Sequence, residues 1–200
     1  GEFYLRDMVE TDSSYNVTVK TRPTNADDCQ VTNPKGRVAI DVVNIHDMTY
    51  VPGAAPGSQI IPLFLDRENG IWVLYGKFAP GTKLPKHFHT GTVHFFTTKG
   101  QWNYVEHPKD PQTAGSYLYE PAGSIHTFSV PKDAKEAAEG FMVVYGANIN
   151  FDGDAFLNIR DAGAMEDGIP SYLESKGLPI PGYITPKGAG FKKLQTHANK

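Results

Sequence analysis

The 200-residue sequence predicts one all-β domain, a sandwich or barrel, with a short helix near the C-terminal end. Three observations lead there. From Val38 onward, short β-rich runs recur at close spacing: Val38 to Val43, Gln59 to Leu65, Ile71 to Phe78, Thr92 to Thr98, Gln101 to Val105, Ser116 to Tyr119, Ile125 to Val130 and Gly140 to Tyr145. The runs are separated by turn residues, and Glu68-Asn69-Gly70 and Lys99-Gly100 place a glycine where a hairpin needs positive φ. With 40% hydrophobic residues, 11 Phe, 10 Tyr and 2 Trp, the chain can fill one substantial core but hardly two.

Taken in order, residues 1–37 are polar and broken by Pro23, Asn25, Pro34 and Gly36, which predicts an N-terminal arm. Residues 38–160 carry the β runs and form the expected barrel. Lys132 to Glu139 is charged and short, and is expected to be a loop with at most one helical turn. Residues 161–200 are expected to hold a helix over Pro170 to Lys176, with Pro170 in the first turn and Gly177 just past the end. The tail from Leu178 carries Pro179, Pro181 and Pro186 among glycines, so it reads as an irregular strap or a mobile end. No internal repeat or low-complexity block is present, which favours a single barrel over a duplicated one.

The formal charge is -3, from 19 basic and 22 acidic residues spread along the chain. Nothing in that pattern offers a footprint for a nucleic-acid backbone or an anionic membrane, so neither is expected as a partner. No apolar run approaches the roughly 20 residues that span a bilayer. Cys29 is the sole cysteine, which excludes an intrachain disulfide and fits a cytoplasmic protein. Asn16-Val17-Thr18 matches a glycosylation sequon, but nothing else in the chain points to secretion.

The chemistry concentrates between Gly81 and His126. Five of the seven histidines fall between His87 and His126, and His87 and His89 form an H-x-H pair. Side chains two apart on a strand share a face, so such a pair can grip one ion from two sides. The full order is Gly81, five residues, His87-Phe88-His89, four residues, His94, five residues, Gly100; then Gly115, five residues, Pro121-Ala122-Gly123, two residues, His126. His87, His89 and His126 are therefore the candidate metal ligands. Neutral imidazole suits Fe, Zn, Ni, Mn or Cu and needs no proton lost near pH 7. His46, His107 and His197 are expected at the surface.

These two halves resemble the paired motifs of the cupin superfamily, G-x5-H-x-H-x4-E-x6-G and G-x5-P-x-G-x2-H, whose fold is a jelly-roll β-barrel. The chain departs from them at His94, which stands where the family has a Glu ligand, at Gly100, one residue early, and at Val130, in place of an Asn. The segments Gly81 to His94, Ala114 to Thr127 and Gly146 to Asp152 are similar to the ChrR-like branch of small cupins, which includes 2,4'-dihydroxyacetophenone dioxygenase. That resemblance implies a non-haem Fe(II) enzyme using dioxygen to cleave a carbon–carbon bond of a small hydroxyketone or diketone, with the iron on His87, His89 and His126. By its place in the motif, His94 should project into the same cavity as a fourth ligand, a partner of a ligand or an acid–base group.

With histidine in place of glutamate, the ion would keep its full +2 charge and attract an anionic, oxygen-chelating substrate. Phe96, Trp102, Tyr104 and Phe128 are either pocket lining for that substrate or barrel core. Glu120, just before Pro121, either approaches the metal or faces water. Two other functions share the site: an isomerase or lyase using the ion as a Lewis acid, and a non-enzymatic metal-sensing cupin. A homodimer or larger assembly is expected, since cupins pair through edge strands.

Overall fold

The structure, a computed structural model, describes residues 10–11, 14–15, 42–180 and 182–186. Glu10–Thr11 (β1) and Ser14–Tyr15 (β2) pair antiparallel with each other. The rest of the expected arm, Cys29, the sequon and His197 lie outside the described residues.

The unit from Val43 onward contains three antiparallel sheets. Its strands begin with Val51–Pro52 (β3), Ser58–Asp66 (β4), Ile71–Phe78 (β5), Lys86–His89 (β6), Val93–Lys99 (β7) and Gln101–Tyr104 (β8). They continue with Gln112–Thr113 (β9), Tyr117–Glu120 (β10), Phe128–Ser129 (β11), Ala138–Tyr145 (β12), Asn148–Asp152 (β13) and Ala155–Arg160 (β14). A large sheet runs β10-β7-β12-β5-β4-β3, and two smaller ones run β11-β8-β9 and β14-β13-β6.

Period-two alternation sets the inner face of the large sheet. Val93 and Phe95 on β7, and Trp72, Leu74 and Phe78 on β5, are buried, while His94 and Phe96 between them turn the other way. Gly140 on β12 has to be small, because a Cβ there would collide with the Phe95 ring and the Phe96 carbonyl. The hairpin glycines Gly70 and Gly100 adopt φ of 64° and 68°, as their turns require. Where β4 carries Pro62, the pairing with β5 shifts register between Pro62 and Phe64, consistent with a residue that cannot donate to the ladder.

Of three buried clusters among the described residues, one is Ile61, Leu63 and Tyr75, and two are larger. In one, Trp102 stacks on Phe128 at 4.6 Å and tilts against Phe95 at 4.9 Å, its indole donating to Thr97 Oγ1 at 2.9 Å. The other brings Ile60, Trp72, Leu74, Val93 and Val144 against the helix.

Several expectations need correction. The helix (α1) spans Ala162–Ser175, not Pro170 to Lys176, and begins at Asp161, whose carboxylate accepts from the Ala164 amide at 2.7 Å. Pro170 lies inside it and forfeits one backbone bond, but Ala162, Met165, Ile169 and Leu173 form a buried stripe that holds the turn in place. The runs at Val51, Gln112, Asn148 and Ala155 are strands that the sequence reading missed, and Ile125 to Val130 shrinks to β11. Within Val38 to Val43 the two described residues are not in a strand. Part of the tail is a strap: Ile184 exchanges backbone bonds of 2.9 Å with Leu63 and Leu65 along β4. Among the described residues no helix is long and apolar enough to cross a membrane.

Candidate metal centre

β6 alternates outward Lys86 and Phe88 with inward His87 and His89. His126 arrives from another segment and forms an antiparallel bridge with His87. The His87 amide donates to the His126 carbonyl at 3.0 Å, and the His126 amide returns a bond of 2.9 Å. The turn before it is set by Gly123, at φ 79°, whose amide donates to the His89 carbonyl at 2.8 Å. The motif's two halves thus meet through backbone bonds before any side chain is considered.

The three imidazoles are 5%, 2% and 2% exposed for His87, His89 and His126, and one ring nitrogen from each falls within 4.8 Å of the others. His87 Nδ1 donates to the Pro85 carbonyl at 2.8 Å, which fixes the tautomer and leaves Nε2 with its lone pair facing inward. Nε2 of His126 lies 3.2 Å from Nε2 of His87.

A carboxylate on β10 lies beside two of these imidazoles. Glu120 pairs with Val93 across the sheet and so points inward, and its Oε2 lies 3.2 Å from His89 Nε2 and 3.3 Å from His126 Nε2. Its Oε1 accepts from the Tyr104 hydroxyl. Oε2 is buried without a hydrogen-bond partner of its own. Donors set about 2 Å from one tetrahedral ion are separated by about 3.3 Å, so these spacings fit a shared divalent cation. A cation also satisfies the buried, otherwise unpartnered oxygen.

Burial, followed by the neighbouring His126, pushes His87 down to about 4. His126 is pushed down as well, chiefly by burial. Burial works to raise Glu120, but the adjacent His89 and His126 rings and the Tyr104 hydroxyl together hold it below the ordinary carboxylate range. Tyr104 is pushed well up by burial and by Glu120, so it stays a phenol and a donor. The site thus presents two neutral imidazoles and a carboxylate at pH 7 with little competition from protons.

The structure does not bring His94 to this group. Because Val93 and Phe95 point inward, His94 points out, opposite Tyr119 and Val143. Its ring sits among Tyr117, Tyr119 and Tyr145, and its Nδ1 is 2.8 Å from the Tyr117 hydroxyl. The expectation of His94 as a ligand or catalytic group is therefore corrected by strand parity, while His87, His89 and His126 stay grouped as expected. Glu120 brings a carboxylate beside two of them from a different strand. Among the aromatic candidates, Trp102 and Phe128 are core, Phe96 is exposed beside Tyr117, and Tyr104 alone touches the site, 4.3 Å from the His126 ring. His46 and His107 are exposed.

Comparison with known proteins agrees with this architecture. Residues 38–148 match the ChrR cupin-like domain. A protein of unknown function with a cupin-like fold from Ralstonia eutropha JMP134 is 42% identical, over 68% of this chain and 84% of its own, with a TM-score of 0.63. An RmlC-like cupin protein from the same organism is 25% identical, over 71% and 92%, with a TM-score of 0.65. An acetylacetone dioxygenase from Acinetobacter johnsonii shares the fold at 21% identity, over 71% and 96%, with a TM-score of 0.58. No curated protein matches the chain. With its jelly-roll architecture and a buried three-histidine site for a divalent metal, the chain belongs to the ChrR cupin-like family.

Proposed function

We propose that this protein is an iron(II)-dependent dioxygenase that cleaves a carbon–carbon bond of a small hydroxyketone or diketone. The observation that carries the reading is the convergence of His87, His89 and His126 on one buried point, with Glu120 Oε2 beside two of them. When bound, iron(II) would supply Lewis acidity toward substrate oxygens and a one-electron path by which the substrate's electrons reach dioxygen.

The chain's own residues set the conditions. Neutral imidazoles and one carboxylate reduce a divalent ion to a net charge of +1, which the enolate of a diketone neutralises in a site shielded from water. Tyr104 keeps its proton and donates a hydrogen bond to Glu120 Oε1, so Oε2 stays turned toward the imidazoles. The acetylacetone dioxygenase that shares the fold makes such chemistry compatible with this architecture. A homodimer or larger assembly is proposed with it, through an edge such as β14, where Phe156, Leu157 and Ile159 are exposed.

The test is anaerobic loading with Fe(II), followed by oxygen-uptake measurements with a panel of β-diketones and α-hydroxyketones. A chelate absorption band and stoichiometric oxygen consumption are the expected result. Turnover without oxygen, retained with Zn(II), would instead indicate an isomerase or lyase.

A further inference from the structure

A cavity of about 490 Å³ opens between α1 and the strands β3 and β14. Its walls are largely apolar, with Ile60, Met165, Ile169 and Tyr172 among them, and two polar side chains, Asn158 and Arg160, reach it. Sheet register connects this cavity to the metal centre. Arg160 pairs with Asn148, which pairs with His89; Asn158 pairs with Asn150, which pairs with His87. Residues directly opposite one another in antiparallel strands share a face. Arg160 and Asn158 therefore emerge on the triad's side of the sheet, two strands away, or about 10 Å at about 4.8 Å per strand.

The intervening row is polar. Asn150 is buried and donates to Asn158 Oδ1 at 2.8 Å, while the Asn148 amide oxygen is buried with no partner among the described residues. Burial pushes the Arg160 guanidinium down, and no carboxylate among the described residues offsets that effect. A guanidinium offers five donors in a fixed fork suited to a carboxylate, and beside apolar walls an anion is the partner that compensates its lost hydration.

We infer that this cavity binds a carboxylate-bearing small molecule, its acid group on Arg160 and its apolar body against Ile60, Met165 and Ile169. Because Arg160 and the triad share one face of the sheet with Asn148 and Asn150 between them, the substrate of the proposed reaction is inferred to be an acid as well as a ketone. This second part rests on the proposed function; the binding itself does not.

Isothermal titration of the Zn(II)-loaded protein with 3-phenylpropionate, and with its neutral amide as control, tests the binding. The acid should saturate and the amide should not. Arg160→Gln should weaken acid binding by roughly tenfold or more, and Arg160→Lys by less, with metal content unchanged. Gly168→Phe provides a second route, since a Cβ at Gly168 meets nothing within 4 Å and a ring there occupies the cavity while leaving Arg160 in place. It too should abolish binding. Acid binding that survives both Arg160→Gln and Gly168→Phe places the carboxylate on the metal and overturns the proposal, as does failure of the acid to saturate.

Benzoylacetone and its para-carboxylate, followed by chelate absorbance on the Fe(II) protein, test the second part. Preference for the acid, erased in Arg160→Gln, supports it; equal affinity overturns it. If phenylpropionate binds but neither diketone forms a chelate, the diketone reading fails and the carboxylate cavity stands.

Discussion

His87 and His126 are joined twice: by reciprocal backbone hydrogen bonds of 3.0 and 2.9 Å, and by ring nitrogens 3.2 Å apart. Two segments separated by 39 positions thus reach the metal site as one preassembled edge. Ordering these ligands is part of folding and does not await the ion.

From this follows a sharp division among the histidines. Alanine at His87, His89 or His126 should reduce bound metal to background in elemental analysis of the purified protein, because each removes a buried donor that nothing nearby replaces. His94→Ala should retain full metal, since its ring lies on the outer face with Tyr117 and Tyr119.

Glu120 and Tyr104 should separate by degree. Glu120→Gln keeps the shape but removes the negative charge from the centre, and should weaken metal binding more than Tyr104→Phe. The latter removes only the donor to Oε1 and should cost roughly 10- to 100-fold in affinity. Competition with a chromophoric chelator measures both.

Trp102 is fully buried between Phe95 and Phe128. Trp102→Ala should destabilise the fold by about 3–5 kcal/mol, read from the midpoint of urea unfolding with an unchanged slope.

Acid stability should depend on Glu106, whose carboxylate accepts from the Thr127 amide and hydroxyl, both at 2.8 Å. Burial works to raise it, but its own backbone amide and these bonds from Thr127 hold it below its ordinary 4.5. A carboxyl lowered on folding stabilises fully above its unfolded value, and that contribution fades as pH falls through the folded one. Glu106→Gln should therefore be the less stable protein at pH 7, and the gap should close as the medium becomes strongly acidic. Unfolding midpoints across that range provide the check.

Much of the site was legible because its spacing is chemical. His87-Phe88-His89 and Pro121-Ala122-Gly123-Ser124-Ile125-His126 announce ligands on a strand and beyond a glycine turn. His94 misled because a motif position was given more weight than strand parity: buried Val93 and Phe95 flank it, and an apolar pair at alternate positions already assigns the intervening residue to the opposite face. Glu120 stayed ambiguous for the converse reason, since its inward orientation depends on pairing with Val93, a contact between strands that local sequence does not encode. The β13–β14 hairpin was missed because β14 is an exposed edge with apolar residues on its outer side, so it lacks the inside–outside rhythm that marks a strand. Helix α1 was cut short in the reading because Gly163, Gly168 and Pro170 are poor helix formers locally, while its buried stripe depends on the sheet beneath.

The docking of Ile184 beside Leu63 and Leu65 carries a consequence for solubility. β3 covers β4 only at Gln59 and Ile60, and farther along the border the backbone amides and carbonyls of β4 would face outward as a template for any passing extended chain. The C-terminal segment occupies that border from within the same molecule at Ile184, so recruitment of foreign strands there is blocked. Shortening the protein ahead of Tyr183 would leave its chemistry in place and expose it to fibrous self-association.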